Sequence, residues 1–300
     1  MNKIALVIAG PTAVGKTALA VELAERFRTS VISADSRQCF RELTIGVAKP
    51  SPEELAAVPH YFINSHSIHD DVTAATFENY ALAKAAACFE ETDLVVVSGG
   101  TGLYIKAFCE GMDAIPPVAP ELRQRLQAHY EQQGLAWLQQ QLAERDPMFA
   151  ATGEMLNPHR MLRALEVVEG TGQSILSFRT GQRRERPFRC ITVGLNLPRT
   201  LLHERINRRV VHMMEQGLEA EARALYPFRH LNALQTVGYQ ELFDYFDGMS
   251  TLPQAVESIQ QHTRQYARRQ LTWLRKQEGV AWFEPQETEA IYSYVVGEMS

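Results

Sequence analysis

The run Ile4 to Leu23, "IALVIAGPTAVGKTALAVEL", constrains this chain more than any other stretch. Gly10, Pro11, Thr12, Ala13, Val14, Gly15, Lys16 and Thr17 fit G-x-x-x-x-G-K-[ST] at every fixed position. The residues before them are Ile-, Leu- and Val-rich, as in a buried parallel strand. The residues after them place Leu19, Leu23 and Phe27 on one helical stripe. Strand, glycine turn and helix in that order form a phosphate cradle. The glycines let backbone N–H groups point inward, the helix start adds its positive dipole end, Lys16 neutralises charge, and the Thr17 hydroxyl can ligate Mg²⁺. The cradle recognises a polyphosphate and does not say what is attached to it.

The rest of the first third repeats the theme. "SVIS" (30–33) and "DLVVVSGGTG" (93–102) read as two more short strands, the second stopped by Gly-Gly and followed by a helix from Leu103 to about Glu110. Alternating strands and helices with glycine-rich turns predict an α/β fold: a P-loop NTPase-like parallel sheet with helices on both faces. The pattern breaks at "DAIPPVAP" (113–120), where three prolines mark a domain edge. A polar, helical region follows, including a helix punctuated by Asn157 and Pro158 at its start and Gly170 and Gly172 at its end. Strand character returns at "CITVGLNLP" (190–198), and the remainder reads as helices at 199–217, 218–226, 239–247 and 253–277. The expected organisation is a catalytic core of residues 1–113 and 188–300 with a helical insertion at 114–187.

Composition excludes several classes. No apolar run is long enough to span a bilayer, and the short apolar start reads as a strand rather than a signal peptide, so a cytoplasmic protein is expected. Cys39, Cys88, Cys109 and Cys190 match no zinc or redox spacing and read as reduced thiols. His60, His66 and His69 lie close together without a completing ligand. Net charge is −5, yet residues 183–209 carry eight arginines against two glutamates, and residues 264–276 carry five cations and no acid. Such segments form either a basic groove for a polyanion or two solvated helix faces.

Two features bear on chemistry. The third strand ends in Ser98-Gly99-Gly100-Thr101, with its acid, Asp93, at the opposite end, which argues against an ordinary ATPase. Asp35 falls just past the second strand, at the sheet edge where α/β proteins place ligands. With Ser36, Arg37 and Gln38 it offers a base, a hydroxyl, a cation and an amide in four residues. On the residues alone, Asp35 could hold Mg²⁺, cap a turn or accept a proton.

The motifs "GPTAVGKT", "SADSRQCF", "IGVAKP" (45–50), "SGGTGLY" (98–104), "NPHRMLRALEV" (157–167), "VGYQE" (237–241) and "TRQYARRQLTWLR" (263–275) run in one order over nearly the whole chain. In this the sequence resembles the bacterial tRNA dimethylallyltransferases, also called tRNA isopentenyltransferases. One departure is Phe40, where that family commonly has tyrosine. The resemblance implies transfer of a dimethylallyl group from dimethylallyl diphosphate to the N6 amine of the adenosine 3′ of a tRNA anticodon. It implies that Asp35 is the general base, that Thr101 touches the target nucleotide, and that Arg209 joins Lys16 and Mg²⁺ near Thr17 in stabilising the leaving diphosphate. Asp35, Ser36, Arg37, Gln38, Thr101, Arg123, His159, Arg160, Met161, Leu162 and Arg163 match tRNA-contacting positions, so the insertion is expected to meet the anticodon stem-loop. The protein is expected to be a monomer, with no membrane partner. Two other classes share the cradle: a small-molecule kinase with a helical lid, and a nucleotide-switched RNA-binding protein without chemistry.

Overall fold

The computed structural model describes residues 3–299. In chain order the elements are β1 (Ile4–Ala9), α1 (Lys16–Arg26), β2 (Val31–Ser33), α2 (Pro52–Ala57), β3 (His60–Tyr61), α3 (Ala74–Glu91), β4 (Leu94–Gly99) and α4 (Gly102–Glu110). Then come α5 (Pro120–Arg145), α6 (Pro147–Thr152), α7 (Pro158–Thr171) and α8 (Ile175–Phe178). The chain closes with β5 (Arg189–Leu195), α9 (Arg199–Glu215), α10 (Leu218–Leu225), α11 (Tyr239–Phe246), α12 (Leu252–Leu274), β6 (Val280–Phe283) and α13 (Thr288–Met299).

The strands form one parallel sheet in the order β3-β2-β4-β1-β5-β6. β1 is buried at every position, because both faces are covered. Its pleat divides the core in two. Ala5, Val7 and Ala9 pack with residues of α3, α4, α11 and α12, while Ile4, Leu6 and Ile8 pack with α1 and α13. This is the expected α/β arrangement. Register sets the functional edge: Ala9 pairs with Gly99, and Ser33 pairs with Ser98. The segments leaving β1, β2 and β4 therefore emerge side by side at the carboxyl edge.

Two compact units are present, residues 1–111 with 185–300 and residues 112–184. The smaller has its own apolar core of Leu126, Leu138, Leu142, Phe149, Met161, Ala164, Leu165 and Ile175. Gly134, at φ 75°, breaks α5 into two helical pieces. In α7 the Asn157 side chain accepts a bond from Arg160 N, and Gly172 ends the helix in the left-handed conformation.

Several elements are absent from the sequence reading: α2, β3, the long α3, β6 and α13. Helix α3 buries Phe77, Ala81, Ala85 and Phe89, a stripe at helical spacing half made of alanine, which carries little hydrophobic signal. Strand β6 is only four residues long and gains its identity from pairing with β5. Among the described residues no helix is long and apolar enough to cross a membrane.

Candidate active site

A cavity of about 800 Å³ opens at the carboxyl edge of β1, β2 and β4 in the larger unit. Its floor is the 10–17 loop, whose Gly15 has φ 113°, a conformation that favours glycine and starts α1. The Arg205 guanidinium braces the loop by donating to Val14 O at 3.1 Å. Gln270 of α12 bridges two segments: its Oε1 accepts from Thr12 N at 2.8 Å and its Nε2 donates to Gly100 O at 2.9 Å. The cradle is thus tied to the turn that follows β4.

Lys16 and Arg209, predicted from distant parts of the chain, come together here. The Lys16 ammonium donates to Pro11 O at 2.8 Å, and Arg209 Nη1 donates to Thr12 Oγ1 at 3.3 Å. Burial first, then repulsion from Arg209, lowers the Lys16 pKa to about 8, against an opposing pull from Asp35. Burial likewise lowers the Arg209 pKa, opposed by Glu54 and Asp35. Two desolvated cations whose hydrogen-bond acceptors are neutral oxygens form a site for an anion.

Asp35 lines the same cavity. Its Oδ1 accepts from Arg37 N at 2.8 Å and from Gln38 N at 3.3 Å, so it caps its own turn. Both bonds fall on Oδ1, and neither uses Oδ2. Thr101 joins the two turns: its hydroxyl accepts from Ser36 N at 3.1 Å and lies 3.4 Å from Ser36 Oγ. The other predicted members of this segment also make contacts within the fold, and Gln38 lines the cavity. Arg37 Nη1 donates to Asn232 O at 2.9 Å, and Gln38 joins Ser33 Oγ to the backbone carbonyl of Ala48. Phe40, which stands where the family commonly has tyrosine, is buried in the core.

Among the cavity-lining residues not singled out from the sequence are Tyr266, Ser33, Glu54 and Gln270. Tyr266 hydrogen-bonds Thr101, and burial with the nearby Asp35 charge pushes its phenol up to about 12. Tyr266 and Gln270 sit four apart in "TRQYARRQLTWLR", a spacing that puts both on one face of a helix and could have marked them.

The smaller unit carries the remaining predicted residues. Arg123 and Arg163 share the buried Glu166 carboxylate at 3.2 and 3.0 Å, and Arg160 pairs with Glu154. His159 is exposed and Leu162 partly buried. Met161 is fully buried in the core of this unit, so its side chain has no surface to offer a partner and supports the helix that carries Arg160 and Arg163.

The arginine-rich 183–209 segment is neither a single groove nor a solvated face. Arg186 is buried against Glu78 at 2.6 Å, Arg189 pairs with Glu298 at the surface, and Arg205 and Arg209 turn to the cradle.

The sequence model of the family described as IPP transferase matches residues 38–277. A tRNA dimethylallyltransferase of Cytophaga hutchinsonii is 48% identical over 295 residues, covering 98% of this chain and 97% of the relative. The full-length tRNA isopentenylpyrophosphate transferase of Bacillus halodurans superposes with TM-score 0.73 at 35% identity, covering 99% of this chain and 96% of that one. A eukaryotic dimethylallyltransferase, in a study of its action on tRNA, shares the fold at TM-score 0.79 and 24% identity over 94% of this chain and 74% of its own. With the cradle, the carboxylate and the two buried cations assembled at one sheet edge, the chain belongs to the IPP transferase family.

Proposed function

We propose that this protein transfers a dimethylallyl group from dimethylallyl diphosphate to the exocyclic N6 amine of the adenosine 3′ of a tRNA anticodon. The observation that carries the reading is one cavity lined by a carboxylate, Asp35, and two desolvated cations, Lys16 and Arg209. The reaction needs both. The N6 lone pair is delocalised into the purine, so the amine attacks well only as its proton leaves; Asp35 takes that proton. The N6–C1 bond forms, the C1–O bond breaks, and its electron pair departs on the diphosphate. Lys16, Arg209 and the cradle amides meet the charge that grows there.

The residues fit Mg²⁺, which prefers hard oxygen donors and is commonly held by one or two protein groups plus substrate phosphates. Thr17, Asp35 and Glu54 line the cavity. Thr17 would hold the ion, which would supply further positive charge beside the leaving group.

The target base is stacked in its loop and must be swung out to enter a cavity of this kind. Arg123, His159, Arg160 and Arg163, carried by the helical insertion, serve as contacts to the anticodon stem-loop. One chain supplies both substrate sites, consistent with a monomer acting without a membrane.

The test is direct. Unmodified tRNA is incubated with the protein, Mg²⁺ and dimethylallyl diphosphate, and its nucleosides are weighed by mass spectrometry. The expected product is one adenosine gaining a single five-carbon unit. No gain, with phosphate moving from ATP to an acceptor instead, would overturn the proposal in favour of a kinase.

A further inference from the structure

One wall of the cavity is a loop whose position is set from outside. Of residues 44–50, Thr44, Ile45, Val47, Ala48, Lys49 and Pro50 line the cavity. The exception, Gly46, faces Tyr239: a Cβ there would lie 2.6 Å from the phenol ring, so only glycine fits the approach. A single carboxylate, Glu221 of α10, collects the loop's backbone. Its Oε2 accepts from Thr44 N at 3.1 Å and Ile45 N at 2.8 Å; its Oε1 accepts from Gly46 N at 2.9 Å and from the Tyr239 hydroxyl at 2.6 Å. Three successive amides pointing at one point form an anion nest, and here the anion is the protein's own. The far side of the loop is pinned by Gln38, which donates to Ala48 O at 2.9 Å, while Ala48 is held at φ 49°. A non-glycine residue in that region persists only where its surroundings over-determine it.

The loop carries apolar side chains into a cavity whose other pole is ionic. Ile45, Val47, Ala48 and Pro50, with Ile63 of the β3 connection and Met213 of α9, are apolar residues lining the cavity that also holds Lys16, Asp35 and Arg209. A prenyl diphosphate has the same division, a charged head and a branched hydrocarbon tail. The proposed reaction gives the head to the cradle, which leaves the tail to this wall.

We infer that Glu221, acting through the 44–50 loop, is a positioning residue that sets the length of prenyl chain the cavity accepts. This rests on the prenyl-transfer reading above. Four hydrogen bonds fix the depth of the apolar pole, and relaxing them lets the wall retreat to admit a longer tail. Replacing the carboxylate by an amide turns an acceptor-only group into one that presents N–H toward converging donors.

The experiment compares wild type, Glu221→Gln and Tyr239→Phe with dimethylallyl diphosphate and with its ten-carbon homologue, geranyl diphosphate, using tRNA as acceptor. Inorganic diphosphate serves as a competitive inhibitor that reports on the head site alone. In Glu221→Gln the KM for dimethylallyl diphosphate rises about tenfold and the ten- to five-carbon preference in kcat/KM rises by a similar factor. The inhibition constant of inorganic diphosphate stays within about twofold of wild type, which a general loss of structure would not allow. Tyr239→Phe removes one bond of four and moves the same ratio in the same direction by less, and it stands as the test if Glu221→Gln does not fold. An unchanged chain-length ratio, or a parallel loss of inorganic diphosphate binding, would overturn the inference while wild-type transfer to tRNA left the parent reading intact. Absence of five-carbon transfer by wild type would sink the parent reading itself.

Discussion

The cavity of the larger unit and the helices of the smaller one both gather basic side chains, and they treat them oppositely. In the cavity, Lys16 donates to the Pro11 carbonyl and Arg209 to the Thr12 hydroxyl, and burial weakens the hold of both on their protons. In the smaller unit, Arg123 and Arg163 share Glu166, Arg125 and Arg145 share Glu169, and Arg160 pairs with Glu154. The first arrangement stores positive potential for a ligand; the second has already spent most of it. A diphosphate entering the cavity meets cations hydrogen-bonded only to neutral oxygens, with Asp35 and Glu54 near but not paired to them, whereas a polyanion on the helices must share its cations with directly bonded carboxylates. Chemistry is expected to concentrate its free energy at the first and recognition to rest on many small terms at the second.

The largest expected effect tests the cavity side. Arg209→Ala should lower kcat/KM for dimethylallyl transfer by about 10²–10³-fold, as loss of one preorganised charge-stabilising donor does; a change under about threefold would show that the two cations are not acting as a pair. Next, Asp35→Ala should reduce turnover by about 10²-fold or more while inorganic diphosphate binds normally. An unchanged rate would leave Asp35 only the turn it caps. On the recognition side, Arg163→Ala should weaken tRNA binding by about tenfold and flatten its steep salt dependence by roughly one counterion. Equal affinity at every salt concentration would mean that Glu166 has neutralised this arginine fully.

The smallest effect separates the regions by pH. Lys16, with its pKa near 8 in the ligand-free cavity, is partly neutral in mild alkali. Diphosphate favours the ammonium, so binding takes up a proton and affinity falls as pH rises through 8 towards the ordinary lysine value. Calorimetry in two buffers of different ionisation enthalpy should detect that uptake, and Lys16→Arg should abolish it. Stability runs the other way: the folded state binds fewer protons than the unfolded chain between about 8 and 10.5, so Lys16 destabilises the fold less as pH rises through that window. A pH-independent diphosphate affinity would place Lys16 outside the binding step.

What was legible in the sequence is what short-range rules determine. The cradle announces itself because strand, glycine turn, lysine and helix are contiguous, and Asp35 is visible because it follows a recognisable strand. Helix α3 is hard to read because half of its buried stripe, Ala81 and Ala85, is alanine and carries little hydrophobic signal. Strands β3 and β6 were missed because so short a strand gains its identity from its neighbour. The role of the basic residues was the least legible: a count of charge along the chain cannot show that Arg186 turns inward to Glu78 while Arg209 enters the cavity. Tyr266, Gln270 and Glu221 act through contacts to residues distant in sequence; helical spacing puts the first two on one face, but nothing local names their partners or marks Glu221.

The sheet order has a consequence for how the molecule is made. Strand β1 is hydrogen-bonded on one side to β4 and on the other to β5, and the whole helical insertion lies between those two strands in the chain. During synthesis the β5 side of β1 stays open until the ribosome has passed the insertion, and Arg209 arrives later still. Six apolar residues with an unpaired backbone edge are an invitation to misassembly during that wait. The insertion, with a core of its own, can fold while β1 is still waiting. A nascent chain stalled before residue 189 therefore holds the phosphate loop without its second cation, and the timing of translation decides when the cavity first becomes complete.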